Sequence, residues 1–186
     1  ADDLLGERKL EAQLKLLNQN PQHLIASKWR RFAGDLTNQW PEEQGEWGHV
    51  PNQSSPREWL LAERMMIPAG WLGSRQLFDC IQPWDESLLI NQDGEYFTRA
   101  ILASNGVIFE PQSRVYYRSE MHGSVSQFKP HKAPSLFASV ESFEQAVLQL
   151  GNDSAIKTLI SNQYMGFIYR VYPLVPELRK KARVKI

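Results

Sequence analysis

The sequence predicts an α/β protein in one globular body, and three observations carry that expectation. Segments with the helical period are interleaved along the chain with shorter runs of strand type. At 186 residues the chain is about one domain long on the soft prior of roughly 150 residues each, enough to bury a sizeable core. Its 42% hydrophobic and 23% charged residues are ordinary for a soluble protein, and no run approaches the ~18 apolar residues that a membrane-spanning helix needs.

Taken in order, Glu7–Asn20 carries Leu10, Leu14 and Leu17 at offsets of four and three, the period of an amphipathic helix that Pro21 ends. His23–Phe32 alternates loosely around Leu24, Ala26, Trp29 and Phe32 and suits a strand. Ala33–Ser55 is a long loop rich in Gly, Pro, Asn, Gln and Glu, carrying Trp40 and Trp47 either as loop anchors or as stacking surfaces for a flat apolar face such as a sugar ring. Ser55-Pro56-Arg57-Glu58 is a capping box that starts a helix running to about Arg64, and Ser74 caps a short helix over Arg75–Ile81. Asp93–Ser104 is helical again and is ended by Gly106. Val107–Phe109 and Val115–Arg118 read as two short strands with a turn at Pro111 between them. Ser119–Pro134 reads as a loop, followed by helices over Ser139–Leu150 and Asp153–Tyr172, the latter with Ile156, Leu159, Ile160, Tyr164 and Phe167 on one face.

Lys plus Arg equals Asp plus Glu at 21 each, so the charge balance does not point to nucleic acid as a partner. The lone Cys80 excludes an internal disulfide or a cysteine metal site, is compatible with a reducing cytosol, and is expected to be a small buried residue. Ala1-Asp2-Asp3-Leu4-Leu5 is neither an initiator Met nor a targeting leader, so the sequence reads as a piece cut from a longer chain.

Chemistry is concentrated in three places. Asp2 and Asp3 are adjacent carboxylates before a helix, hard oxygen ligands suited to Mg²⁺ or Mn²⁺, or else simple N-terminal caps. Asp93 opens a helix, where an ionised carboxylate is stabilised and can act as a cap or take a proton from an attacking hydroxyl. Arg118, His122, Ser124 and Ser126 share a Gly-containing loop that can supply donors to phosphate oxygens or stand solvated. No GxSxG elbow, HExxH zinc motif or GxxxxGK[ST] phosphate loop occurs.

In this order the segments resemble the second half of a family-2 glycosyltransferase. Ala1-Asp2-Asp3-Leu4-Leu5 is similar to the tail of that family's metal motif; Trp84-Asp85-Glu86-Ser87-Leu88 with Gln92-Asp93-Gly94-Glu95-Tyr96 and Arg99 is similar to its Glu-Asp region; Val115-Tyr116-Tyr117-Arg118 with His122, Ser124 and Ser126 is similar to the strand and loop that follow. The likeness covers roughly residues 1–127 and implies an incomplete GT-A-type fold, with a mixed sheet, flanking helices and a helical C-terminus. It implies residues 1–135 as the acceptor-side and metal-motif part and 136–186 as a helical extension. By the same likeness Asp2 and Asp3 hold Mg²⁺ or Mn²⁺ and the diphosphate of a nucleotide-diphospho-sugar donor, and Asp93 is the general base towards a glycan or other hydroxyl acceptor in an inverting transfer. Arg118, His122 and Trp84 bind the substrates, Arg118 and His122 at the diphosphate. The implied setting is the synthesis of polysaccharides or glycoconjugates, in the cytoplasm or at the inner face of the membrane.

Two departures stand out. Gln92 occupies a position where the family commonly has an acid, and the first Asp of the metal motif and the nucleotide-binding half would precede Ala1. A different class of reading is a non-catalytic carbohydrate- or protein-binding module with Trp40, Trp47 and Trp71 as a stacking surface. The tail residues Arg179, Lys180, Lys181, Arg183 and Lys185, interleaved with Leu178, Ala182, Val184 and Ile186, suit either contact with an anionic membrane surface or a solvated helix end.

Overall fold

The structure, a computed structural model, describes residues 3–37, 47, 49–119 and 128–186. These form two compact units, the first spanning Ala1–Trp59, Arg64–Ile81 and Ala100–His122, the second Leu60–Glu63, Gln82–Arg99 and Gly123–Ile186.

The first unit is built on a mixed sheet. Its centre is the parallel pair β2 (Leu24–Phe32) and β5 (Val107–Arg118). The other edge of β2 pairs antiparallel with β4 (Trp71–Leu72), and that of β5 with β1 (Leu4–Leu5) and β3 (Gln53–Ser54). A central strand covered on both faces reads as a near-continuous buried run, and Leu24, Ile25, Ala26 and Ser27 are all fully buried. The predicted pair of short strands is one strand. Against β2 its register jumps from Ser27↔Glu110 to Lys28↔Arg114, leaving Pro111, Gln112 and Ser113 as the bulged residues. Pro111 donates no ladder bond, and the bulge is where a sheet tolerates that.

Helix α1 (Lys9–Gln19) lies on this sheet with an unexpected face inward. Leu10 and Leu14 are exposed, and the buried set is Lys9, Gln13 and Leu17. Gln13 Nε2 donates to the carbonyls of Ile25 and Gly70, both at 3.1 Å, so an amide at the helix–sheet seam joins β2 to the turn before β4. Satisfied in this way, a polar side chain is tolerated where an isolated one would be costly.

Helix α2 (Pro56–Leu61) starts on the capping box. Ser55 Oγ accepts from the Glu58 N–H at 3.2 Å and Glu58 Oε2 accepts from the Ser55 N–H at 2.8 Å. It stops at Leu61, short of the expected Arg64. Ser74 caps α3 (Arg75–Asp79) through the Leu77 N–H at 3.1 Å. Cys80, just beyond, is exposed rather than buried, because the short helix ends there at the surface. Gly106 adopts φ +140°, and a Cβ there would lie 2.5 Å from the Ser54 carbonyl oxygen, so both the turn and the approach of β3 require glycine.

Among its described residues the second unit carries α4 (Gln92–Ala103) as far as Arg99 and the helices that follow residue 128. Helix α5 (Ala133–Val147) begins six residues earlier than predicted, and α6 (Ser154–Val171) is capped by the Asp153 carboxylate. The inner face of α6 is the predicted one, with Ile156, Leu159, Ile160, Tyr164 and Phe167 buried, and Phe137 of α5 packs edge-on to Phe167 at 5.2 Å. The tail forms α7 (Pro176–Arg183), with Ala182 fully buried. Glu144 of α5 ties the ends together: it accepts from Tyr164 Oη at 2.6 Å and from Lys185 Nζ at 3.0 Å. Burial raises the Tyr164 pKa above its ordinary value, and the Glu144 hydrogen bond adds to the shift. Among the described residues no helix is long and apolar enough to cross a membrane.

Candidate functional site

In open α/β sheets the carboxyl ends of parallel strands are where ligands bind, and in the first unit these are the ends of β2 and β5. The ladder continues past Phe32, whose carbonyl accepts from the Ser119 N–H at 2.9 Å. Here the structure joins two residues singled out by sequence. Asp3 Oδ1 accepts a hydrogen bond from the Arg118 N–H at 3.0 Å, across 115 residues of chain. The cause is the pairing of β1 with the second half of β5, Leu4 opposite Tyr116, which carries the preceding acid to the end of the strand. The Arg118 guanidinium lies 4.4 Å from the Phe32 ring centroid and donates to the Gly34 carbonyl at 2.6 Å.

A second cation stands at the same end and was missed in the sequence. The guanidinium of Arg31 sits 5.4 Å from the ring centroids of both Trp29 and Tyr117 and donates to Ser119 Oγ at 3.4 Å. Cation–π contacts on two rings fix the direction of an otherwise loose side chain. The signal was present as the alternation of Trp29 and Arg31 in β2 with Tyr117 opposite in β5, legible only once the register is known. Asp2, His122, Ser124 and Ser126 lie outside the described residues.

Asp93 belongs to the second unit, in the first turn of α4, half-buried, with its carboxylate accepting from the Gly94 N–H at 3.0 Å. The residue before the helix, Asn91, is in the left-handed region at φ +59° and its Nδ2 donates to Ser139 Oγ at 3.1 Å, which fixes the helix mouth on α5. Glu95 is a first-turn acid as expected but is buried. It accepts from Arg99 Nε and Nη2, both at 2.8 Å, and from Ser142 Oγ at 3.0 Å. That pairing raises the Arg99 pKa above its ordinary value, chiefly through the hydrogen bonds that Arg99 donates to Glu95.

Arg99 also holds the segment before the helix, donating to the carbonyls of Gln82 at 2.5 Å and Pro83 at 3.1 Å. The next residue, Trp84, lies over Tyr96 at 4.6 Å and edge-on to Phe97 at 6.3 Å, with 38% of its surface exposed. Tyr96 and Phe97 are three and four residues beyond Asp93, so they neighbour it on the helix surface. Asp93 thus lies on α4 beside the two rings that the part-exposed Trp84 packs against. Asp85 caps the turn after Trp84, and hydrogen bonds from the Ser87 hydroxyl and N–H lower its pKa.

Trp47 and Trp71, two members of the alternative stacking surface, are core residues at 7% and 8% exposure. Trp47 stacks on Phe109 at 5.6 Å and Trp71 packs against Trp59 at 5.6 Å. Trp40 lies outside the described residues. The described pair offers a ligand no ring face, because burial against other aromatics stabilises more than leaving those rings in water.

Of the two acids expected to hold a divalent metal, the described residues include Asp3, a hard oxygen donor of the kind Mg²⁺ and Mn²⁺ take. Those ions bind through one or two carboxylates and complete their shells with substrate phosphates and water. Among the described residues no group of three or more His, Cys, Asp or Glu is placed to hold an ion by itself.

The mixed sheet, its flanking helices and the helical C-terminus define an incomplete GT-A-type fold, the glycosyltransferase type of α/β architecture. Residues 1–349 of S. aureus TarS, solved in complex with UDP-GlcNAc, share that fold. The similarity has a TM-score of 0.59 at 12% sequence identity, over 99% of this chain, and the chain spans 62% of the length of that structure. No protein-family model and no curated protein matches the sequence.

Proposed function

We propose that the chain is the acceptor-side part of a glycosyltransferase that moves a sugar from a nucleotide-diphospho-sugar donor to an acceptor hydroxyl with inversion, in polysaccharide or glycoconjugate synthesis. The observation that carries the reading is the meeting of Asp3 with Arg118 at the carboxyl ends of the parallel pair, in a fold shared with a protein solved with a sugar nucleotide. Displacement at an anomeric carbon needs positive charge on the leaving diphosphate and a base for the incoming hydroxyl. Arg118, Arg31 and His122 serve the diphosphate. Asp2 and Asp3 hold Mg²⁺ or Mn²⁺, which when bound neutralises charge developing on the leaving group. Asp93 takes the proton from the acceptor, whose ring rests on Trp84.

The test is transfer from a panel of isotope-labelled sugar nucleotides, measured with this chain and with the longest natural polypeptide that carries it. Asp93→Ala should lower transfer by about 10²- to 10⁴-fold, the usual contribution of a positioned base. Undiminished transfer by the variant removes Asp93 from that role, and failure of the longer polypeptide to bind any sugar nucleotide in the presence of manganese sinks the whole reading.

A further inference from the structure

The second unit carries a surface that sugar transfer does not use. Met165 and Tyr169 stand one turn apart on the same face of α6, and Tyr172 follows as the residue that ends the helix, with extended backbone. They are 55%, 89% and 68% exposed, while the opposite face of the same helix fills the core. Two tyrosines so fully in water contribute little to folding, since burial is what stabilises an apolar ring. This stripe continues into α7. The guanidinium of Arg179 lies 5.0 Å from the Tyr172 ring centroid and donates to the carbonyls of Leu174 at 2.8 Å and Pro173 at 2.9 Å. Arg183 follows one turn later on the same side of α7, and Lys180, Lys181 and Arg183 are all exposed.

The charge is local. The whole chain has 21 basic and 21 acidic residues, yet from Arg170 to Ile186 there are six basic residues and one acid, Glu177; of the six, Lys185 is already paired with Glu144 of α5. Exposed apolar side chains, Leu174, Val184 and Ile186, sit among them. Tyrosine suits a boundary with one wet and one apolar side, and arginine and lysine carry charge at the end of an apolar stem.

We propose that this face of α6 and α7 binds the surface of an anionic lipid bilayer, with Tyr169 and Tyr172 at headgroup depth and the basic side chains against lipid phosphates. Charge selects this occupant. A second copy of the chain would bring like charges together, and the aromatic stripe beside the basic one matches a headgroup region in which phosphate and acyl chain lie a few ångströms apart. Both stripes run along the outside of α6 and α7, so the contact lies along the surface.

The experiment is flotation of the full chain with vesicles of pure phosphatidylcholine and with vesicles containing about a third phosphatidylglycerol. Wild type should float with the anionic vesicles and not with the neutral ones, and added salt should release it. The triple variant Lys180→Gln, Lys181→Gln, Arg183→Gln should bind about a hundredfold more weakly, from about fivefold per basic residue near an anionic surface. Tyr169→Ser, which keeps every charge and removes no buried group, should lose severalfold. Equal binding to both vesicle types, a triple variant that binds like wild type, or wild type that floats with neither would each overturn the proposal. So would a dimer in size-exclusion chromatography that Tyr169→Ser dissociates, which would assign the face to a second copy.

Discussion

Lys9 lets the packing of α1 be tested by titration. It is 2% exposed, and its Nζ donates to Gln13 Oε1 at 2.5 Å, a neutral partner. Burial lowers its pKa from 10.5 to about 8. In the unfolded chain the ordinary value returns, so between about pH 8 and 10.5 the unfolded state holds a proton that the folded state has released. Stability therefore rises with pH across that window. Below it, both states are protonated and the fold carries the full cost of a buried ammonium. The gap between 10.5 and about 8, at about 1.4 kcal/mol per pH unit, amounts to about 3 kcal/mol. Urea unfolding of wild type and Lys9→Met at several values between pH 7 and 10.5 measures it. Methionine keeps the stem but leaves Gln13 Oε1 without its donor, a cost of about 1–3 kcal/mol that does not vary with pH. The readout is thus the slope: wild type should gain about 3 kcal/mol on the variant over the window, while tyrosines and other lysines cancel between the two proteins. A difference that stays flat with pH would refute the reasoning and mean that Lys9 reaches water in the folded state.

Two further outcomes test other joints. Gly106→Ala should destabilise by about 1–3 kcal/mol, through a strained φ and a clash with the Ser54 carbonyl, seen as a lower urea midpoint. Glu95→Met should cost about 3 kcal/mol by leaving Arg99 without its carboxylate, and adding Arg99→Met should restore part of that loss in a double-mutant cycle; additive costs would show that the two side chains do not depend on each other.

Where local chemistry decides structure, the sequence was readable. The capping box at Ser55, the cap at Ser74, the strand through Trp29 and the buried face of α6 each depend on residues within a turn or two of one another, and each is found. The inner face of α1 was misread because leucine spacing pointed to Leu10 and Leu14. Gln13 wins the buried position through carbonyls 12 and 57 residues away, which no helical period encodes. Pro111 read as a turn because a proline inside a ladder is costly, and only the partner strand shows that it falls in a bulge. At the site, Asp3 and Arg118 were legible as separate chemistries but not as neighbours, since register joins them. Arg31 looked like an ordinary strand residue for the same reason.

The bulge in β5 makes one strand act as two rulers. Before it, Val107 and Ile108 are gauged against β3. After it, Val115 and Tyr116 are gauged against β1, which carries Asp3. Three residues that pair with nothing on β2 stand between the two scales. The second scale alone sets the spacing of Asp3 and Arg118. Removing an odd number of residues from the bulge itself would reverse which way the second half of β5 faces, and within it Ser113 is fixed too, fully buried with its hydroxyl donating to the Lys9 carbonyl at 3.3 Å.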